Sequence, residues 1–188
     1  IFLIHSDLQK ICKNNLLGKF ICLGLRCERI KNVITKMEKQ RGFFGIGIQN
    51  TKTEQNVGTL WRSASIMGAS FIFTIGKRYK KQASDTMQSW RHIPLYNYET
   101  FEEFYKAIPY DCRLTGVELD TKSIPVAQFK HPERCVYLLG AEDIGLSNQA
   151  LEKCHSLVQL PGDYCMNVAV AGSIIMYDRT IKSKTINQ

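Results

Sequence analysis

From residue 42 onward, short apolar runs alternate with stretches of helical period. Phe44, Ile46 and Ile48 alternate with glycines, and residues 71–75, 114–117, 135–139 and 157–160 are nearly continuous apolar runs. Runs of this length bounded by turn formers read as strands buried on both faces. Between them Val57, Leu60, Trp61, Ala64 and Met67 recur at helical spacing behind Asn56, the expected N-cap. Phe101, Phe104, Tyr105 and Ile108 form a second stripe, and Ser147 is the expected cap of a third helix. Strands separated by helices predict an α/β, Rossmann-like domain in three layers, a parallel sheet covered on both faces. The pattern closes on residues 168–177, apolar nearly all round, directly after the turn Leu160, Pro161, Gly162, Asp163. Such a helix predicts burial, which places the backbone amides of the preceding turn where a ligand can use them.

Composition adds little to that picture, but it sets its limits. The chain has 188 residues, 44% apolar and 22% charged, enough for one sizeable core. The character changes at Met37. Residues 1–36 carry seven Lys/Arg against two Asp/Glu, which leaves +3 of the net +8 for the remainder, so charge alone does not make the domain a nucleic-acid binder. The expectation is a dispensable N-terminal extension over 1–36 and one domain over 37–188. A basic RNA-binding arm is the competing reading of the same segment. Seven scattered cysteines, with no Cys-x-x-Cys pair, predict reduced thiols rather than a disulfide or zinc framework. The four histidines show no ligand spacing, and no metal is expected. No apolar stretch reaches the length of a membrane span, and no basic start precedes an apolar leader, so a cytoplasmic protein without a membrane partner is expected.

Three segments that follow strands are candidates for chemistry, because open α/β sheets bind ligands there. The first runs from Asn56 through Gly58 to Arg62, and Arg62 lies off the apolar stripe, so packing does not explain it. A solvated surface arginine is its simplest alternative. The second is Leu138, Leu139, Gly140, Ala141, Glu142, Asp143, Ile144, Gly145, Leu146, Ser147, whose glycines would serve a tight turn even without a ligand. The third is Pro161 through Cys165, Met166 and Asn167 into the apolar helix.

Together, in this order, the segments resemble the three signature motifs of the SpoU-type branch of the SPOUT superfamily, the tRNA/rRNA 2′-O-ribose methyltransferases. The resemblance spans residues 41–182 and is to the minimal, single-domain type. It implies a C-terminal trefoil knot, a homodimer whose target site is completed across the dimer interface, and S-adenosylmethionine as methyl donor, with S-adenosylhomocysteine as product. It implies that Gly116, Val117, Gly140, Leu160, Cys165 and Met166 line the cofactor pocket. The sequence reads Cys165-Met166-Asn167 where relatives usually carry Ser-Leu-Asn, so a hydroxyl contact at that position is replaced by a weak thiol donor.

By the same resemblance Arg62 is the catalytic arginine, with Asn56 and Asn167 orienting substrate or bracing it and Glu142 pairing with one of them. Attack by a ribose 2′-OH needs its oxygen held in line with the methyl, and orientation alone is worth an effective molarity on the order of 10⁵–10⁸ M. An arginine acting as a general base near neutral pH would need its pKa lowered by roughly five units, at about 1.36 kcal/mol each. A clamp on phosphate or on the developing alkoxide is therefore the expected role for Arg62. The loop Lys77, Arg78, Tyr79, Lys80, Lys81 interleaves an aromatic with four cations, the composition of an RNA-backbone contact, or of a plain solvated charge run. RNA is the expected partner, with tRNA ahead of rRNA. Two other readings stand beside this one: a knotted RNA-binding protein without catalysis, and an enzyme that uses Cys165 as a nucleophile.

Overall fold

The computed structural model describes residues 42–76 and 92–185. These belong to the unit 41–188. The expected extension over 1–36 and the basic loop 77–81 lie outside the described residues.

Seven strands form one sheet: β1 (Phe43–Gln49), β2 (Phe71–Ile75), β3 (Leu95–Tyr98), β4 (Arg113–Val117), β5 (Ile124–Pro125), β6 (Arg134–Leu139) and β7 (Ser156–Gln159). Their order is β3-β2-β1-β6-β4-β7-β5, and every pairing among them is parallel. Among the described residues four helices pack on it: α1 (Glu54–Met67), α2 (Phe101–Ala107), α3 (Asn148–Lys153) and α4 (Val168–Thr185). Alternation along the strands divides the core in two. Cys135, Tyr137 and Leu139 face a cluster that includes Leu60 and Trp61 of α1 and Ile175 and Met176 of α4. Val136 and Leu138 face the other, with Phe101 and Phe104 of α2 and Ala150 of α3. The three-layer α/β reading holds.

Several expectations need correction. Asn56 does not cap α1. The helix begins at Glu54, with Thr53 in the N-cap position, and Asn56 sits inside the first turn with its amide committed elsewhere. Tyr105 of the second stripe is partly exposed and stacks on Phe101, and Ile108 lies just past the helix as its C-cap. The last helix is apolar but not enclosed. Val168, Ala171, Ile175 and Met176 face the core, whereas Val170 and Tyr177 are 49% and 59% exposed. Gly172 lets α4 lie close against α1, since a Cβ there would come within 2.4 Å of Leu60 Cδ1. β3 and β5 were not expected at all; each is a short strand at an edge of the sheet, with little apolar signal.

The C-terminal half of α4 is fastened by a polar network. Arg179, 5% exposed, donates to the carbonyls of Pro132 and Glu133 at 2.6 and 2.7 Å and to the Tyr137 hydroxyl at 3.2 Å. With that oxygen accepting from arginine, the Tyr137 hydroxyl donates to His131 Nδ1, 2.6 Å away. His131 Nε2 then carries the proton toward Asp178 at 2.7 Å, and Lys182 meets the same carboxylate oxygen at 2.7 Å. Burial pushes the His131 imidazole below its ordinary 6.5 although Asp178 pulls it the other way. The folded chain thus binds fewer protons at this site than the unfolded chain, and the stability the site contributes is full above pH 6.5 and is lost as pH falls below that value through the lower pKa of the folded state. Melting temperature is therefore expected to drop between pH 7.5 and 5.5, and less steeply in His131→Gln. Scanning calorimetry across that range checks it, and equal slopes for the two proteins would contradict the assignment.

Candidate active site

Parallel strands send all their C-terminal ends to one side of the sheet, and ligands collect there. The segments following β4, β6 and β7, together with the start of α4, enclose a cavity of about 450 Å³. That lies within the roughly 300–1,000 Å³ of small-molecule sites. Its floor is apolar, with Val117, Leu139, Leu160, Val168 and Ala171, and its rim carries the carboxylates Glu118, Asp120, Glu142 and Asp143.

The glycines of the middle loop have a structural reason. Ala141 and Gly145 exchange two backbone hydrogen bonds, 3.3 and 2.9 Å, closing a tight turn in which Gly145 has φ +64°. A Cβ on Gly140 would lie 2.2 Å from the Gly145 carbonyl carbon, so the two limbs of the loop touch through backbone alone. The turn feeds α3, where the Ser147 hydroxyl accepts from the Ala150 amide.

Three separated segments meet at Asn56. Its Nδ2 donates to Glu142 Oε1, and its Oδ1 accepts from Asn167 Nδ2 at 3.0 Å. Asn167 Oδ1 in turn accepts from the amides of Ala169 and Val170, so the same side chain caps α4. One hydrogen-bonded chain therefore ties the first turn of α1, the glycine loop and the start of α4. Lys52 pairs with Asp143 at 2.8 Å and holds that carboxyl below its ordinary range.

Of the residues expected to line the cofactor pocket, Val117, Gly140, Leu160, Cys165 and Met166 border this cavity. Gly116 does not. It points to the opposite face of the sheet, where a Cβ would meet Leu157, Leu146 and Cys154. Glu142 borders the cavity, while Asn56 and Asn167 stand behind it. Arg62 lies six residues beyond Asn56 on α1, exposed, and no hydrogen bond or ion pair engages it among the described residues. Cys165 is exposed on the cavity wall. No hydrogen bond joins it to His131, which is bound to Tyr137 and Asp178, or to His155, whose Nδ1 accepts from the Leu114 amide. By contrast burial raises the thiols of Cys135 and Cys154 to about 11 and about 12, which makes them inert. Sequence reasoning missed Glu118 and Asp120, and it gave no role to Asp143, Ile144 and Tyr164, which lie in the second and third segments. Their one signal is position, since each follows a strand that ends at the cavity.

A second feature is an apolar surface on α1 and α4. Ile66 is 68% exposed, and Thr59, Met67, Val170, Ser173, Ile174 and Tyr177 line a shallow hollow of about 280 Å³ beside it. Thr59, Arg62 and Ile66 fall at helical spacing on one face of α1, so the free guanidinium stands within this surface. No helix among the described residues is long and apolar enough to cross a membrane.

A family model described as the SpoU rRNA methylase family matches residues 44–177. A protein of Archaeoglobus fulgidus named as an uncharacterized tRNA/rRNA methyltransferase is 24% identical over 152 residues, covering 77% of this chain and 67% of the relative. The tRNA (cytidine/uridine-2′-O-)-methyltransferase TrmJ of Sodalis glossinidius is 23% identical over 150 residues, covering 71% of this chain and 58% of the relative. Among solved structures, the AdoMet-bound rRNA methyltransferase of Sinorhizobium meliloti superposes with a TM-score of 0.68 at 22% identity. That match covers 76% of this chain and 57% of the other. The chain thus spans about three-fifths to two-thirds of the length of these proteins.

Proposed function

Because this chain belongs to the SpoU rRNA methylase family across residues 44–177, we propose that it is an RNA methyltransferase acting on a ribose 2′-OH, with tRNA the first substrate to test and rRNA the second. The observation that carries the reading is the cavity at the strand ends, bordered by the glycine loop and the Cys165 loop, which Asn56 joins through Glu142 and Asn167. The residues present fit S-adenosylmethionine. The apolar floor suits its adenine, backbone at Gly140 can come close, and the acidic rim suits its positively charged sulfonium and ammonium. When bound, that cofactor supplies an electrophilic methyl group on a sulfonium.

What the chain itself contributes is position and charge. Leu139, Leu160, Met166 and Val168 exclude water from one wall, and the loops bearing Gly140 and Cys165 hold the ligand through backbone. Cys165 enters through its main chain, since its thiol is a poor donor. Arg62 clamps the RNA phosphate or the developing alkoxide. In this reading the chain ends in the trefoil knot typical of the resemblance, and residues 1–36 are an extension to the domain. The basic loop 77–81 tracks RNA phosphates; its support is sequence alone.

The α1/α4 surface is the homodimer interface in this proposal. Its apolar side chains need a cover, and a second copy would bring Arg62 toward the neighbouring cavity. Val170→Glu is expected to halve the mass found by sedimentation equilibrium, from twice the 21.5 kDa of the chain to once, and to abolish methyl transfer with it. A variant that remains a dimer, or a wild-type chain that is monomeric and active, would remove this interface.

The function is tested by incubating the full chain with methyl-labelled S-adenosylmethionine and either tRNA or rRNA. Nuclease digestion and mass spectrometry should then find 2′-O-methyl nucleosides. Label on a base, or on neither RNA, would overturn the reading. RNA binding without S-adenosylmethionine binding by calorimetry would favour a non-catalytic RNA-binding protein instead.

A further inference from the structure

We propose that Glu118 is a positioning residue for the methyl-donor site, holding the loop at 140–147 in the shape that bounds the cavity. The proposal rests on reading that cavity as the cofactor site. Glu118 follows β4 directly, and both its carboxylate oxygens are committed to backbone. Oε2 accepts from the Leu146 amide at 2.8 Å and Oε1 from the Leu119 amide at 3.1 Å. Its own main chain is fixed from two sides: the Glu118 amide donates to the Val158 carbonyl at 3.0 Å, and the Ser123 hydroxyl donates to the Glu118 carbonyl at 2.9 Å. The carboxylate therefore reaches the glycine loop from a stem that cannot swing.

Its contact falls on the far limb of the turn that Ala141 and Gly145 close, between two side-chain anchors. The upstream limb is pinned through Glu142 to Asn56. The downstream end is pinned by Gln49, which accepts from the Ser147 amide at 3.1 Å and donates to its hydroxyl at 3.0 Å. Between them Ile144 is 68% exposed and contributes no burial. Glu118 crosses this gap so closely that a Cβ on Gly145 would lie 2.5 Å from Oε2. Gly145 thus meets two demands at once, its left-handed φ and the approach of this carboxylate. Bonds from amides to an ionised carboxylate are about twice as strong as neutral ones, which adds to the burial of Ala141 and Leu146 in holding this short loop. Gln at this position would keep one acceptor oxygen and turn an N–H toward the second amide.

The test uses the full chain and two readouts. In ligand-free protein, amide hydrogen exchange across 141–147 is expected to quicken at least tenfold in Glu118→Ala, less in Glu118→Gln, with β1 and β2 unchanged. In the same preparations, the KM and Kd for S-adenosylmethionine are expected to rise about tenfold or more in Glu118→Ala, with kcat within about threefold. Loop exchange equal to wild type would overturn the proposal, as would unchanged cofactor affinity or a loss confined to kcat. A wild-type chain that binds no S-adenosylmethionine would instead sink the reading of the cavity itself, a result distinguishable because it precedes any variant. Should the alanine variant fail to fold, the glutamine variant carries both measurements.

Discussion

Arg62→Ala is expected to lower methyl transfer by about 10²–10³-fold while S-adenosylmethionine affinity stays within a few-fold. The Arg62 side chain supports no part of the fold. It is exposed on α1, takes no part in the core stripe of Val57, Leu60, Trp61 and Ala64, and has no partner among the described residues. Its removal should therefore leave the fold and the cofactor wall intact. What disappears is a free positive charge on the exposed face of α1, six residues beyond Asn56. Such a charge acts on the transition state rather than on cofactor binding, so the effect falls on kcat. Arg62→Lys should recover only part of the rate, because an ammonium is a point charge without the planar fork that grips an oxyanion or phosphate at two atoms. Single-turnover kinetics with saturating cofactor, beside calorimetry of cofactor binding, separates the two quantities. Equal loss of both would assign Arg62 to structure.

Gly140→Ala should do the opposite, weakening S-adenosylmethionine by about 10- to 100-fold. The added methyl would meet the Gly145 carbonyl carbon at 2.2 Å and the Leu146 amide nitrogen at 2.4 Å. Both are backbone atoms of the same loop, and no side-chain rotamer can relieve the clash. Overpacking of this kind costs about 1–3 kcal/mol, and the cheapest relief is to open the turn closed by Ala141 and Gly145. That turn is one wall of the cavity, so the cost appears as lost affinity. Circular dichroism should remain that of the folded chain, since the clash is between two limbs of one loop and not between strands. Unchanged affinity would mean that the wall is not where the cofactor sits.

Much of this was legible in the sequence because its signals are periodic or local. Buried parallel strands show as apolar runs, and the glycine turn shows as two glycines around an acid. The misreadings have physical causes too. Gly116 and Val117 are neighbours, and a strand turns neighbours to opposite faces, so only Val117 joins Leu139 on the cavity side. Asn56 looked like a cap because asparagine favours that position; its amide is spent instead on Glu142 and Asn167, residues 86 and 111 positions away, which no local rule anticipates. Glu118 carries no pattern at all: one acid after one strand means nothing until the chain brings Leu146 within reach. The network at Arg179 escaped for a related reason, because Tyr137 reads as a core aromatic and gives no sign that its hydroxyl links Arg179 to His131. The apolar character of α4 was visible, but which of its sides faces the core and which faces outward depended on where α1 lies.

The strand order has a consequence for how the chain is made. β1 lies at the middle of the sheet between β2 and β6, yet β6 follows it by some ninety residues. At roughly 5–20 residues per second, a ribosome needs about 5 to 20 s to deliver that partner. During this interval β1 and β2 present one unpaired edge with the apolar faces of Phe44, Ile46 and Ile48 uncovered, and the glycine loop does not yet exist. The centre of the sheet and the glycine loop arrive together with residues 134–147, but the opposite wall comes only with residues 160–171, so the nascent domain cannot bind before α4 has begun.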